Sequence, residues 1–116
     1  MKVIYVCGPY RGRRLVNILR ARTAALFVWQ HGGVALCPHL NTAFFDGKML
    51  DDVWLEGDLE LLSRCDAIWA IEGWRESAGA CAEVAAAERM GIPRLESREA
   101  VVRSLTQGAG VGGCDA

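Results

Sequence analysis

The sequence predicts an α/β domain: a parallel sheet of four or five strands with helices on both faces. Two observations carry that expectation. Short β-rich apolar runs alternate with longer segments of helical apolar spacing, which is the signature of βαβ units. The runs themselves, such as Val3–Val6, are continuously apolar, as strands covered on both faces are. A length of 116 residues suits one domain, since roughly 100–150 residues is the commonest domain size.

The elements follow in chain order. Lys2–Cys7 is a strand stopped by Gly8-Pro9. From about Arg13 to Gln30, Leu15, Ile18, Leu19, Ala25, Leu26 and Trp29 recur at helical spacing and are expected to face the core, until His31-Gly32-Gly33 stops the helix. Val34–Cys37 is a second strand, closed by Pro38, and residues 39–50 read as an irregular loop with Asn41, Asp46 and Gly47 as turn formers. Asp51–Arg64 is a second helix whose apolar face is Val53, Trp54, Leu55, Leu59, Leu61 and Leu62. Ala67–Ile71 is a third strand. Ser77 then N-caps an alanine-rich helix, Ala78–Met90, that ends at Gly91. Ile92–Leu95 makes a fourth strand and Arg98–Leu105 a last helix. Residues 1–107 are expected to form the domain. Residues 108–116, with four glycines and little to pack, are expected to be a disordered tail. There is no internal repeat and no linker.

Composition narrows the function. Thirteen basic against fourteen acidic residues give a net charge of −1, which argues against a polymeric nucleic acid or a polybasic membrane contact. No apolar run approaches the roughly 20 residues that span a bilayer. Five cysteines, odd in number and never spaced C-x-x-C, fit neither a disulfide framework nor a zinc site. A reducing cytoplasm, no metal and no cofactor are the expectations.

In parallel α/β sheets ligands bind outside the carboxyl ends of the strands. The segments there are Gly8–Arg14, Pro38–Thr42 and Glu72–Glu83. In the first, Gly8 and Gly12 let backbone amides approach an anion and Arg11 can fork a phosphate, although neither a Walker nor a G-x-G-x-x-G pattern is present. A tight turn with solvated arginines is the plainer reading. In the third, the Ser77 hydroxyl and the free amides beside Gly79 make a second anion cradle. Glu83 follows, walled by Ala80, Ala82 and Ala86. It is either a partly desolvated reactive carboxylate or the solvent face of its helix, and spacing alone leaves both open. Asp58 can share the same crevice, and two acids can divide labour in glycosidic chemistry. Asp51, Asp52 and Glu56 read as solvent-facing acids near a helix start, and Asp66 as a turn residue bonded to backbone amides. His39 reads more readily as a loop cap than as a catalyst. Trp74 in the loop after strand three is harder to bury and can stack on a planar ring.

Taken in order, Val3-Ile4-Tyr5-Val6-Cys7-Gly8-Pro9-Tyr10-Arg11-Gly12, Cys37-Pro38-His39, Gly57-Asp58-Leu59, Cys65-Asp66-Ala67-Ile68 and Ser77-Ala78-Gly79 with Glu83 resemble the nucleoside 2-deoxyribosyltransferase superfamily. The likeness spans residues 2–95 and is nearest to its small phage and bacterial branch of deoxyribosyltransferase-like domains. It implies a flavodoxin-like, Rossmann-like three-layer sandwich that cleaves N-glycosidic bonds. By resemblance Glu83 matches the nucleophile that attacks C1′, Asp58 the acid that helps the base leave, and Tyr5 the tyrosine that orients the nucleophile. Six residues before the nucleophile the nucleoside transferases carry an aspartate, whereas this chain has Ser77. The related deoxynucleoside 5′-monophosphate N-glycosidases have serine there, and an arginine and glycine in the first loop that Arg11 and Gly12 match. Pro9 and Tyr10 replace their serine and isoleucine, which removes one phosphate donor.

The resemblance therefore implies a nucleotide N-glycosidase working through a covalent glycosyl-glutamate. Arg11, Gly12, Ser77 and Gly79 are expected at the phosphate, with Gly8 in the same loop and His39 and Trp74 at the base. A base-exchanging nucleoside transferase and a non-catalytic nucleotide sensor are the alternatives. A homodimer or larger homo-oligomer is implied as well.

Overall fold

The computed structural model describes the backbone of all residues except 44, 46 and 116, and the side chains of all but these and 108–115. Its elements are β1 (Val3–Cys7), α1 (Arg14–Gln30), β2 (Val34–Leu36), α2 (Pro38–Asn41), α3 (Asp51–Leu62), β3 (Ala67–Ala70), a 3-10 turn (Trp74–Glu76), α4 (Ala78–Met90), β4 (Arg94–Leu95) and α5 (Arg98–Asp115). The strands form one parallel sheet in the order β2-β1-β3-β4. The order and the flanking helices are those of a flavodoxin-like sandwich, with four strands among the described residues. The expected tail, 108–116, and the turn former Asp46 lie outside the fully described residues.

Side-chain alternation along the strands builds three layers. Ile4, Val6, Ala67 and Trp69 point to one face, where Ala21, Ala24, Ala25 and Val28 of α1 and Val101 and Leu105 of α5 cover them. Tyr5, Cys7, Ile68 and Ala70 point to the other, against Leu62 of α3 and Ala80, Val84, Ala86 and Ala87 of α4. Among the described residues no helix is long and apolar enough to cross a membrane.

Three expectations are corrected. In α1 the sheet-facing stripe is Asn17, Ile18, Ala21, Ala24, Ala25 and Val28, while Leu15, Leu19, Leu26 and Trp29 stand on the exposed side. Alanines let the helix approach the sheet closely, so the smaller stripe is buried and the bulkier one is left outside. In α3 only Leu62 is buried, and Val53 and Leu55 are exposed, because the helix rests on the core by its C-terminal end. Part of the expected loop is a short helix, α2, started by Pro38 at a position where a missing N–H costs nothing. The caps of α4 are as expected: Ser77 Oγ accepts from the Ala80 amide at 3.2 Å, and Gly91 closes the helix at φ 76°. Asp66 likewise accepts the Val3 amide at 2.8 Å.

The topology opens a crevice. The chain leaves β1 for α1 on one face and leaves β3 for α4 on the other, so the loops after these adjacent strands diverge. Gly8 lets the two strand ends stay close, since a Cβ there would lie 2.4 Å from Ile71 Cγ1.

Candidate active site

The crevice is a cleft of about 720 Å³. Its floor is built by strand parity. Tyr5, in the middle of β1, points into the α3–α4 layer, and α4 brings Glu83 to the same place on its second turn. Tyr5 Oη donates to Glu83 Oε2 at 2.6 Å across 78 residues of sequence. Glu83 is 8% exposed and lines the cleft, so its carboxylate is the buried acid of the site and not a solvating group. The small side chains of Ala80 and Ala87 let this stretch of α4 lie against the sheet.

Asp58 reaches the cleft from α3. Burial raises its pKa to about 6. Burial raises Glu83 further, to about 7; the Tyr5 hydroxyl pulls it down in part and the charge of Asp58 pushes it up. The two carboxyls therefore hold and release protons across the neutral range as an interacting pair. Tyr5 is itself pushed far up, by burial first and by the Glu83 charge next, so its phenol stays a donor. Cys7, close by, is raised mainly by burial and is not a thiolate at neutral pH.

The segments expected to cradle an anion form two sides of the cleft. Gly8 and Arg11 line one and Ser77 and Gly79 the other. Ala78 and Gly79 hold the first two positions of α4, whose amides have no carbonyl partner within a helix. Ser77 Oγ accepts the capping bond and still has its own proton to give. Arg11 Nη2 donates to Asp51 Oδ2 at 2.6 Å.

The remaining expected residues divide. His39 lines the cleft, but its Nε2–H donates to the Pro9 carbonyl at 2.7 Å and burial lowers its pKa. It is a neutral post that fixes the first loop, with Tyr10 packed edge-on at 5.2 Å. Gly12 is outside the cleft lining and serves the turn into α1, at φ 87°. Trp74 is not brought to the cleft. The 3-10 turn swings its ring into a neighbouring crevice, 8% exposed, where Arg75 and Arg94 stack at 4.5 and 5.3 Å and Glu96 accepts from Nε1 at 3.4 Å.

Asp51, Trp54 and Leu55 line the cleft without having been expected there. The signal was available: they stand seven, four and three residues before Asp58, on the same face of α3. Asp52 and Glu76 complete the acidic rim. Among the described residues no three His, Cys, Asp or Glu side chains are grouped to hold a metal ion.

A parallel α/β sandwich with a buried Tyr–Glu pair at the floor of the cleft defines the class of the chain. Within that class it belongs to the family described as a domain of unknown function, DUF7768, whose model matches residues 2–96. No curated protein matches it. Among solved structures it is similar to a 2-deoxyribosyltransferase from the psychrotolerant bacterium Bacillus psychrosaccharolyticus, at 18% identity and a TM-score of 0.61. The match covers 81% of this chain and 70% of that one. At this identity the likeness is one of fold.

Proposed function

We propose that the protein cleaves the base–sugar bond of a deoxynucleoside 5′-monophosphate with Glu83 as nucleophile. One observation carries the reading: a buried carboxylate at the floor of the cleft is held by a phenol at 2.6 Å, with a second carboxylate, Asp58, lining the same space. In the first step a Glu83 oxygen bonds to C1′ as the C1′–N bond breaks. The bonding pair leaves with the base, and Asp58 supplies the proton that the base nitrogen takes. In the second step water attacks C1′, Asp58 accepts the water proton, and Glu83 is freed as carboxylate. Tyr5 keeps the reacting oxygen aimed. Ser77, the amide of Gly79 and Arg11 receive the phosphate, with Gly8 and Gly12 shaping the loop beside it.

A second reading, base exchange on an unphosphorylated nucleoside, is favoured by the charge of the rim. Asp51, Asp52 and Glu76 line it, and each repels a phosphate. The fold likeness to a 2-deoxyribosyltransferase supports both readings. A homodimer is part of the proposal, supported by the exposed stripe of Leu15, Leu19, Leu26 and Trp29 on α1. A reducing cytoplasm is also part of it, supported by four free cysteines among the described residues.

The test is incubation with a panel of deoxynucleosides and their 5′-monophosphates, with and without an acceptor base, and chromatography of the free base. Release from monophosphates without an acceptor is expected. Exchange confined to nucleosides would replace the first reading with the second, and full turnover by Glu83→Ala would end both.

A further inference from the structure

Among the described residues lining the cleft, Arg11 is the one arginine or lysine, beside a neutral His39, and it shares the space with Asp51, Asp52, Asp58, Glu76 and Glu83. It is already engaged. Its Nη2 bonds Asp51 Oδ2 at 2.6 Å and ties the first loop to the first turn of α3. Both side chains are largely exposed, 74% and 71%, so solvent weakens the pair and a better partner can displace it. A phosphate is such a partner, because it offers the guanidinium fork two oxygens and close to two charges. Asp51 is easily released, since it stands in the first turn of α3, where the helix dipole favours an anion without help from Arg11. Once released it still faces the incoming phosphate as a like charge.

We infer that Asp51 is a specificity-determining residue of the cleft: by competing for Arg11 it sets how far a phosphorylated ligand is favoured over the same ligand without its phosphate. The inference rests on the nucleotide reading of the site. It explains how a rim rich in carboxylates can admit one phosphate, because the carboxylate nearest the cation acts as its stand-in. It also makes the preference a property of two residues together, so that neither Arg11 nor Asp51 alone predicts it.

The experiment is calorimetric titration of the full chain with a deoxynucleoside 5′-monophosphate and with the parent deoxynucleoside. It compares wild type, Asp51→Asn, Arg11→Gln and the double variant. Asp51→Asn is expected to raise the ratio of nucleoside to monophosphate dissociation constants about three- to tenfold at low salt, and less at 0.5 M salt, where exposed charges are screened. Arg11→Gln is expected to collapse that ratio, and adding Asp51→Asn to it to give a much smaller rise than with Arg11 present, the part that like-charge repulsion alone supplies. An unchanged or lower ratio in Asp51→Asn, or the same rise with Arg11 absent, overturns the inference while leaving the nucleotide reading in place. A wild type that binds both ligands equally, or neither, overturns the nucleotide reading and the inference with it. Base release through Glu83 is scored separately in the turnover assay.

Discussion

The two helices that supply the carboxyl pair are held in different ways. α4 buries five of its thirteen residues, is capped by Ser77 and Gly91, and carries Glu83 on its buried side. α3 buries Leu62 alone, has Leu50 at its N-cap with no side-chain capping bond, and carries Asp58 half-buried along its length. One acid is part of the core; the other sits on a support anchored at one end. The division suits the proposed chemistry. An attacking oxygen has to be aimed at one carbon within a fraction of an ångström, whereas a proton donor works over a wider range of approach and can follow bases of different shape.

The largest expected effect tests the fixed member of the pair. Glu83→Gln keeps the volume and a partner for Tyr5 but removes the nucleophile, so base release should fall at least about a thousandfold. Asp58→Asn should cost about a hundredfold on ordinary bases and clearly less on a substrate whose base leaves without taking a proton. Initial rates on both substrate types check this. Equal losses from the two variants on every substrate would erase the functional contrast between α3 and α4.

The sequence made α4 legible and α3 much less so. Ser77, the run of alanines and Gly91 bound α4 at Ala78–Met90, because caps are local chemistry. α1 shows where local reading stops. It carries two apolar stripes at helical spacing, and only the closeness of the sheet selects the alanine stripe. The place of Trp74 escapes local reading for a similar reason, since the 3-10 turn that rotates its ring into the neighbouring crevice leaves no pattern in three residues. The Tyr5–Glu83 bond joins positions 78 apart, so spacing could not separate a buried Glu83 from a solvated one. The resemblance paired them and the fold brings them within 2.6 Å. For α3, choosing Asp58 as the cleft residue already implied Asp51, Trp54 and Leu55, a step that helical periodicity allows.

The next effect is in stability. Glu83 titrates near 4.5 when exposed and near 7 in the fold, so the folded chain holds its proton more tightly than the unfolded one. Its contribution to stability is complete below about pH 4.5 and is lost as the pH rises through about 7. That loss is about 3 kcal/mol. Asp58 acts in the same direction over a lower window, from its ordinary value of 3.8 to about 6. Urea unfolding at pH 5 and pH 8 should therefore show a larger drop for wild type than for Glu83→Gln, with Asp58→Asn in between. A pH dependence identical in wild type and Glu83→Gln would mean that Glu83 is hydrated, and the fixed half of the contrast would go with it.

The smallest effect probes the support of Asp58 directly. Gly57 lies in the interior of α3, and a Cβ there meets nothing within 4 Å, so Gly57→Ala adds helix propensity without a clash. The gain is about 0.5–1 kcal/mol. Where that gain appears depends on how α3 is attached. If the helix opens independently of the core, as its single buried residue implies, the stabilisation slows amide exchange within Asp51–Leu62 and leaves the amides of α4 as they were. If α3 opens only with the whole fold, exchange slows equally in both helices and the melting temperature rises instead. Hydrogen exchange on wild type and Gly57→Ala separates these outcomes. Turnover by the same variant adds the functional half, because a stiffer α3 should narrow the range of bases that Asp58 can reach while leaving attack by Glu83 on the preferred one intact.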